Sequence, residues 1–494
     1  MDFNSKYEIE ETSTFIITRN FTRVALQFPD EMLKDSTRVV RAIREEIRRA
    51  RGGELEGERR VGLFVMADTT YGSCCVDEVG AAHVNADCVV HYGQTCFSQT
   101  STIPAFFVLG KAYIDVSNCA TKIREYASTN QKPILVLFGL DYSYAITSIK
   151  EALVAETSDS NIMYADVLCS TMDPVKDHVV SDGNQNIFGN GTTHKTCNPE
   201  ARTKCHIGGL TWSLPLGHKI EDFLLFWIGP ESAAFTNVVL RFNNCKIVRY
   251  DATNDHLVTD LYQQRKILKQ RYYLVEKAKD ANMVGVLVGT LGVAGYLHMI
   301  HQMKNLITRA GKKAYLLVMG RPNPAKLANF PECDIFVYVS CEQTALIDSK
   351  EFYAPIITPF EAVLAFSREH EWTGEYTMEF RNLIGSSFNS QNSVNAARFS
   401  FFKGGFVEDL EDEEDGNHED DASALVVAAE KALQLRESSQ QLLVRGIAKS
   451  GAEFLVAARS YQGLEVNYED SQPSPVLVGR VGKASGYESE KRQQ

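Results

Sequence analysis

The chain carries 11 cysteines but no Cys-x-x-Cys pair, so a zinc ribbon is disfavoured. It also lacks any excess of positive charge. Its 51 Lys and Arg stand against 63 Asp and Glu, and the net charge of −12 argues against a strongly basic nucleic-acid binder. No loop reads G-x-G-x-x-G, which weakens any case for dinucleotide binding. The opening MDFNSKYEIEET has neither a basic n-region nor an apolar h-region, so a secretory signal is not expected. The uncharged stretch 283–303 is long enough to cross a bilayer. It holds four glycines and two histidines, however, and reads better as a strand, a glycine turn and a helix. These absences predict a cytoplasmic protein that contacts neither membrane nor nucleic acid directly. Thiols stay reduced in that compartment, so the cysteines point to metal binding, redox chemistry or core filling.

What is present is ordinary for a globular protein: 44% hydrophobic and 23% charged residues over 494 positions. That length predicts about three domains. The charge is not spread evenly. Ten of the fourteen residues in EDLEDEEDGNHEDD (408–421) are Asp or Glu, and taking those ten from −12 leaves −2 for the rest. Such a run self-repels and reads as an extended linker.

Strand-like and helix-like stretches alternate, which indicates a parallel α/β sheet. RVALQF (23–28), VGLFVMAD (61–68) and DCVVHYG (87–93) form a first block, with Met32, Val39, Val40, Ile43 and Ile47 on one helix face between them. PILVLFG (133–139), NIMYADVLC (161–169), FLLFWIG (223–229), VVLRF (238–242) and KIVRYD (246–251) read as strands of a second. The polar stretch 170–218 reads as an irregular insertion. VGVLVGT (284–290), AYLLVMG (314–320), DIFVYVSC (334–341) and PIITPFE (355–361) form a third, after a basic helix near 260–280 whose Arg265, Lys266, Lys269 and Arg271 read as a solvated face. The rhythm suggests internal triplication. The expected domains are 1–115, 116–258 and 259–375. A tail over 376–494 holds the acidic linker 408–421, a helix-like stretch over 422–435 and a docking segment, 451–466.

In open α/β sheets, ligands bind at the carboxyl ends of the strands. Cys74 and Cys75, Cys96, Cys169 and Cys341 all fall there. Three thiolates with one open position suit a [4Fe–4S] cluster. Cys88, Cys119, Cys245 and Cys333 read as filler. Cys197 and Cys205, near His194 and His206, are weak zinc candidates. His83 and His91 read as structural histidines. Gly289, Gly292 and Gly295 either let a ligand approach the backbone or let a helix pack closely. Arg321 and Lys326 either hold a carboxylate or contact a partner.

RVALQFPDEML (23–33), ADTTYGSCCVDEVGAAHVNADCVVHYGQTC (67–96), GTLGVAGY (289–296) and GRPNPAKLANFPECDIFVYVSC (320–341) resemble the diphthamide biosynthesis proteins. ARSYQGLEV (458–466) resembles the eukaryotic subunit 2 branch of that family. The resemblance implies three related Rossmann-like domains with parallel sheets around a central iron–sulfur site, plus a C-terminal tail. It implies transfer of a 3-amino-3-carboxypropyl group from S-adenosylmethionine to a histidine of elongation factor 2. It further implies a heterodimer with subunit 1, fed by a small redox protein, in which this chain is the accessory subunit and carries no catalytic residue. A self-sufficient transferase and a cluster-free scaffold are the alternatives. Carried over by motif, the cluster ligands are Cys75, Cys96 and Cys341. Cys74 is the rival to Cys75, and Cys169 the rival to Cys96.

Overall fold

The computed structural model describes residues 2–52, 60–66, 71–154, 161–174, 203–367, 370, 372–384, 398–400, 405–407, 482–483 and 486–487. The chain divides into two units, 1–462 and 463–494. The second is described only at a short antiparallel hairpin, Gly482–Lys483 with Gly486–Tyr487. The acidic run 408–421, the stretch 422–435 and the segment 451–466 lie outside the described residues.

The first unit holds three parallel sheets. Strands β1 (Arg23–Gln27), β2 (Gly62–Met66), β3 (Cys88–Tyr92) and β4 (Ala105–Val108) lie in the order β2-β1-β3-β4. The second block contributes β5 (Ile134–Phe138), β6 (Ile162–Tyr164), β7 (Asp166–Val167), β8 (Thr171–Met172), β9 (Thr203–Ile207), β10 (Leu210–Leu214), β11 (Leu224–Ile228), β12 (Ile247–Asp251) and β13 (His256–Val258). Four of these lie parallel in the order β6-β5-β11-β12, and β13 closes the outer edge antiparallel. The third block orders β14 (Met283–Val288), β15 (Lys313–Val318), β16 (Ile335–Val339) and β17 (Ile356–Ile357) as β15-β14-β16-β17. Counted within each parallel set, every sheet reads 2-1-3-4, in agreement with the triplicated rhythm of the sequence. The central strands β3, β5, β11 and β16 are buried along their whole length. Strands covered on both faces must be apolar throughout, and that is why they were legible as continuous runs.

Four expectations change. Of PIITPFE only Ile356–Ile357 form a strand, because Thr358 caps the helix Pro359–Phe366. VVLRF does not form a strand, because Val238–Arg241 complete the helix Ala233–Arg241. Its N-cap Ser232 accepts from the Phe235 amide, and Phe235, Val238 and Val239 turn to the core. A five-residue apolar run fits either period, and the cap decides it. The insertion 170–218 is not irregular throughout: β9 and β10 form a hairpin across Gly208 and Gly209, both at positive φ (54° and 88°), the turn geometry that favours glycine. Its stretch 175–202, with His194 and Cys197, lies outside the described residues. On the basic helix Tyr262–Lys279, Arg265, Lys266 and Lys269 are exposed as expected, but Arg271 is buried. It forms a bidentate pair with the fully buried Glu361, with Nε to Oε1 at 2.6 Å. Glu361 also accepts from the Thr358 amide (2.8 Å) and from the Tyr376 hydroxyl (3.1 Å), so the charge is compensated on every side.

Candidate metal centre

Four cysteine sulfurs, those of Cys74, Cys75, Cys96 and Cys341, lie within 4.8 Å of one another. Cys74 and Cys75 sit on the loop after β2, Cys96 on the loop after β3, and Cys341 two residues past β16. The three predicted ligands are therefore together, joined by Cys74. Two blocks supply them: the first gives three thiols and the third gives one. Cys169 stands outside the group, half-buried against the main core. Cys88, Cys119, Cys245 and Cys333 are buried and apart, as filler should be. Burial pushes the Cys119 thiol up to about 12, and those of Cys245 and Cys333 up to about 11.

The loops are fixed by buried polar groups. Gln27 closes β1 at 1% exposure. Its amide donates to the Cys75 carbonyl (2.8 Å), and its carbonyl accepts from the Asp77 amide (2.9 Å). His91 on β3 bonds the Ser73 carbonyl through Nε2 (2.9 Å), and burial pulls its pKa down to about 4. The Cys96 amide donates to the Cys74 carbonyl (3.1 Å), tying the two loops of the first block. Behind them, the buried carboxylate of Glu78 accepts from the amides of Ser101 (3.0 Å) and Thr102 (2.7 Å) and holds the far side of the Cys96 loop.

The third block closes the corner by contact. A Cβ on Gly292 would lie 3.1 Å from the Val76 carbonyl and 3.5 Å from the Cys75 Cβ, so a larger residue would have to push the Val76 backbone back by a few tenths of an ångström. A Cβ on Gly289 would meet the Tyr338 ring at 2.1 Å. Gly295 caps the helix Tyr296–Arg309 at φ 84°. Close packing accounts for Gly289 and Gly292. Arg321 reaches Asp30 of the first block at 3.7 Å across an exposed surface. The Lys326 ammonium donates to the carbonyls of Met319 (3.2 Å) and Arg321 (3.0 Å), bracing its own loop.

Cys74, Cys75 and Cys341 are buried and Cys96 half-buried. The sulfurs of Cys74 and Cys341 are 2.9 Å apart, those of Cys75 and Cys96 3.5 Å, and those of Cys74 and Cys75 3.9 Å. Hydrogen bonds from Cys74, Cys75 and Cys96 hold the Cys341 thiol well below the usual range. A bond to Cys341 in turn keeps Cys74 and Cys75 well above it. The corner thus readily carries one thiolate, and a bound cation would draw the others into ionisation. An all-thiol, buried donor set is what a soft metal or an iron–sulfur cluster takes.

Sequence reasoning found the cysteines but not Gln27, Glu78 or the hydroxyls around the sulfurs. The only signal for Gln27 was a polar side chain ending an otherwise apolar strand. Cys205 is half-buried on β9, and His206 pairs with Glu379 at 3.2 Å; neither belongs to a metal-ligand group among the described residues. Among those residues, no helix is long and apolar enough to cross a membrane.

Comparisons with known proteins agree with this geometry. Residues 28–377 match the family model of the diphthamide synthesis proteins. The chain is 37% identical over 500 residues to the 2-(3-amino-3-carboxypropyl)histidine synthase subunit 2 of Danio rerio, covering 98% of this chain and 91% of that one. The subunits of the same description from Gallus gallus (34%, 100% and 94% covered) and Schizosaccharomyces pombe (32%, 99% and 92% covered) are similar along their length. Among solved structures, the fold resembles that of Dph2 from Pyrococcus horikoshii with a 4Fe-4S cluster, at a TM-score of 0.52 and 18% identity, over 75% of this chain and 93% of that one.

Proposed function

Because this chain belongs to the diphthamide synthesis protein family, we propose that it is the iron–sulfur subunit of a heterodimeric transferase. That enzyme moves a 3-amino-3-carboxypropyl group from S-adenosylmethionine to a histidine of elongation factor 2 in the cytoplasm. The other subunit performs the transfer, and this chain passes electrons from a small redox protein to it. The convergence of Cys75, Cys96 and Cys341 from two sheets at one buried corner carries the reading. These three would hold a [4Fe–4S] cluster and leave one iron open. Bound there, the cluster would supply single electrons of the kind that cleave a carbon–sulfur bond of the sulfonium.

The chain's own part is to hold the thiols in place. Gln27 and His91 fix the carbonyls of the Cys74–Cys75 loop, so the sulfurs point inward before metal arrives. Val293 packs against the thiols, and the Gly292 backbone lies close to Cys75. Hydrogen bonds from Cys74, Cys75 and Cys96 hold the Cys341 thiol low, so it would offer a thiolate readily. Cys74 is the spare thiol of an adjacent pair, since neighbouring residues rarely present two sulfurs to one iron. A second reading is a single metal ion in a four-thiolate site, and the close spacing of all four sulfurs favours it.

Anaerobic reconstitution with iron and sulfide decides between them. About four irons and four sulfides per chain, lost together in a Cys75/Cys96/Cys341→Ala triple variant, support the cluster. One metal without sulfide supports the second reading. If the chain takes up no metal with or without its partner subunit, only a scaffold role survives. If the chain alone modifies elongation factor 2, the division of labour is wrong.

A further inference from the structure

We propose that three hydroxyl groups, those of Thr290, Ser98 and Thr344, set the reduction potential of the metal centre by each donating one hydrogen bond to one ligand sulfur. This rests on the cluster reading of the site. The Thr290 Oγ1 lies 3.6 Å from the Cys75 sulfur, the Ser98 Oγ 3.0 Å from the Cys96 sulfur, and the Thr344 Oγ1 3.2 Å from the Cys341 sulfur. Each sulfur carried over from the family motifs thus has one hydroxyl of its own. Cys74 has none among the described residues; the hydrogen-bonding partners of its sulfur there are the thiols of Cys75 and Cys341.

The direction of these bonds comes from the chemistry. A metal-bound cysteine is a thiolate with no proton to give, so the hydroxyl must be the donor. Two of the three hydroxyls are also primed by a second bond. The Gly292 amide donates to the Thr290 Oγ1 (3.2 Å), which occupies a lone pair and leaves the proton free for Cys75. The Ser340 hydroxyl lies 2.6 Å from the Thr344 Oγ1. The Ser340 hydroxyl has a second acceptor in the Gly289 carbonyl at 3.3 Å. With Cys341 ionised and the Thr344 proton turned to sulfur, the one Ser340 proton goes to the nearer Thr344 oxygen, and chained hydrogen bonds strengthen one another. Thr290 and Ser340 are 1% and 2% exposed, so water competes little for either.

The three hydroxyls come from separate loops, after β3, β14 and β16, and each of those loops also carries or packs against a cysteine of the corner. A hydrogen bond to a cluster sulfur draws off negative charge and stabilises the form with one more electron, which raises the potential. The electron comes from the external reductant, every hydroxyl proton stays on its oxygen, and no bond in the protein forms or breaks.

The test is a potentiometric titration of the reconstituted full-length chain with dithionite and mediators, monitored by the paramagnetic resonance of the reduced form. Thr290→Val, Thr344→Val and Ser98→Ala keep the cysteines. Each is expected to retain the wild-type iron and sulfide content but to reduce at lower potential. Together they should lower the reduced-to-oxidised ratio at fixed potential on the order of tenfold, about 59 mV for a one-electron couple. Thr290→Ser and Thr344→Ser restore a hydroxyl and should return the wild-type potential. Full iron with unchanged potentials overturns the proposal, as does a shift that the serine variants fail to reverse. A wild-type chain that binds no cluster overturns the reading beneath it instead. Ser98→Ala removes a single half-buried oxygen and carries the test if a threonine variant fails to fold.

Discussion

The third strand of each sheet carries a large ring at its fourth residue: His91 on β3, Trp227 on β11 and Tyr338 on β16. All three are essentially buried. In the first and third sheets the ring supports the thiol corner. His91 bonds the carbonyl next to Cys74, and Tyr338 packs where a Cβ on Gly289 would otherwise stand. In the second sheet, Trp227 Nε1 has no hydrogen-bond partner among the described residues and lies 3.3 Å from where a Gly229 Cβ would be. No cysteine of that block joins the thiol group among the described residues. The same strand order thus provides three equivalent positions, and loop chemistry decides which become a site. The fold is a permission, and the loop after each strand either builds a site there or leaves the position plain.

The largest expected effect tests whether the second block is silent. Cys75→Ala, Cys96→Ala and Cys341→Ala should each abolish most iron uptake, because removing a ligand opens a buried charged site. Cys169→Ala should leave iron content and the visible absorbance unchanged. Loss of iron in the Cys169 variant would end the asymmetry between blocks.

Next is stability. Arg271→Met leaves the Glu361 carboxylate fully buried without its cation and should cost about 3–5 kcal/mol in urea unfolding. In the second block, Lys122 and Glu125 form an exposed pair at 2.9 Å on one helix. Lys122→Ala should change stability by less than about 0.5 kcal/mol. Equal losses would mean that burial does not separate the two pairs.

The acid limb should belong to the first block. Burial holds the folded His91 pKa near 4, below the ordinary 6.5. Above pH 6.5 neither state binds the proton, and the contribution of His91 to stability is full. As pH falls toward 4, the unfolded chain binds the proton first, and about 3 kcal/mol is lost in all. Trp227 and Tyr338 do not titrate in that window. His91→Gln, whose amide can donate to Ser73, should flatten the dependence of the urea midpoint between pH 6.5 and 4.5. An unchanged slope would place the acid sensitivity elsewhere.

Much of this was legible in the sequence, for physical reasons. Parallel strands are apolar on both faces, so the three sheets announced themselves as runs such as ILVLF and IFVYV. The rule that ligands gather at strand ends brought forward Cys74, Cys75, Cys96, Cys169 and Cys341, and the family resemblance narrowed them to Cys75, Cys96 and Cys341. Other features depended on contacts between distant residues. VVLRF is too short for its period to separate helix from strand, and the Ser232 cap settled it. Arg271 looks like its solvated neighbours until Glu361, 90 residues later, is placed beside it. The turn that sets Cys74 against Cys75 and the hydroxyls of Thr290 and Thr344 meet the sulfurs only in three dimensions.

The smallest effect concerns the brace itself. Gln27 pairs in register with His91 across β1 and β3, so the two side chains that hold the cysteine loop stand on neighbouring strands. Gln27→Leu keeps the volume but strands the Cys75 carbonyl and the Asp77 amide, both now satisfied by the one side chain. A buried group left unpaired costs about 1–3 kcal/mol. That loss should appear in urea unfolding of the metal-free chain, before any cluster is present. It should also slow iron uptake without lowering the final content, because the ligands remain but are no longer pre-set. In the second sheet, Leu137 stands opposite Trp227 at the same register, where an apolar side chain already serves. If Gln27→Leu were as stable as the wild type, the polar pair would be no more than an alternative core packing, and the contrast between the first and second blocks would rest on the cysteines alone.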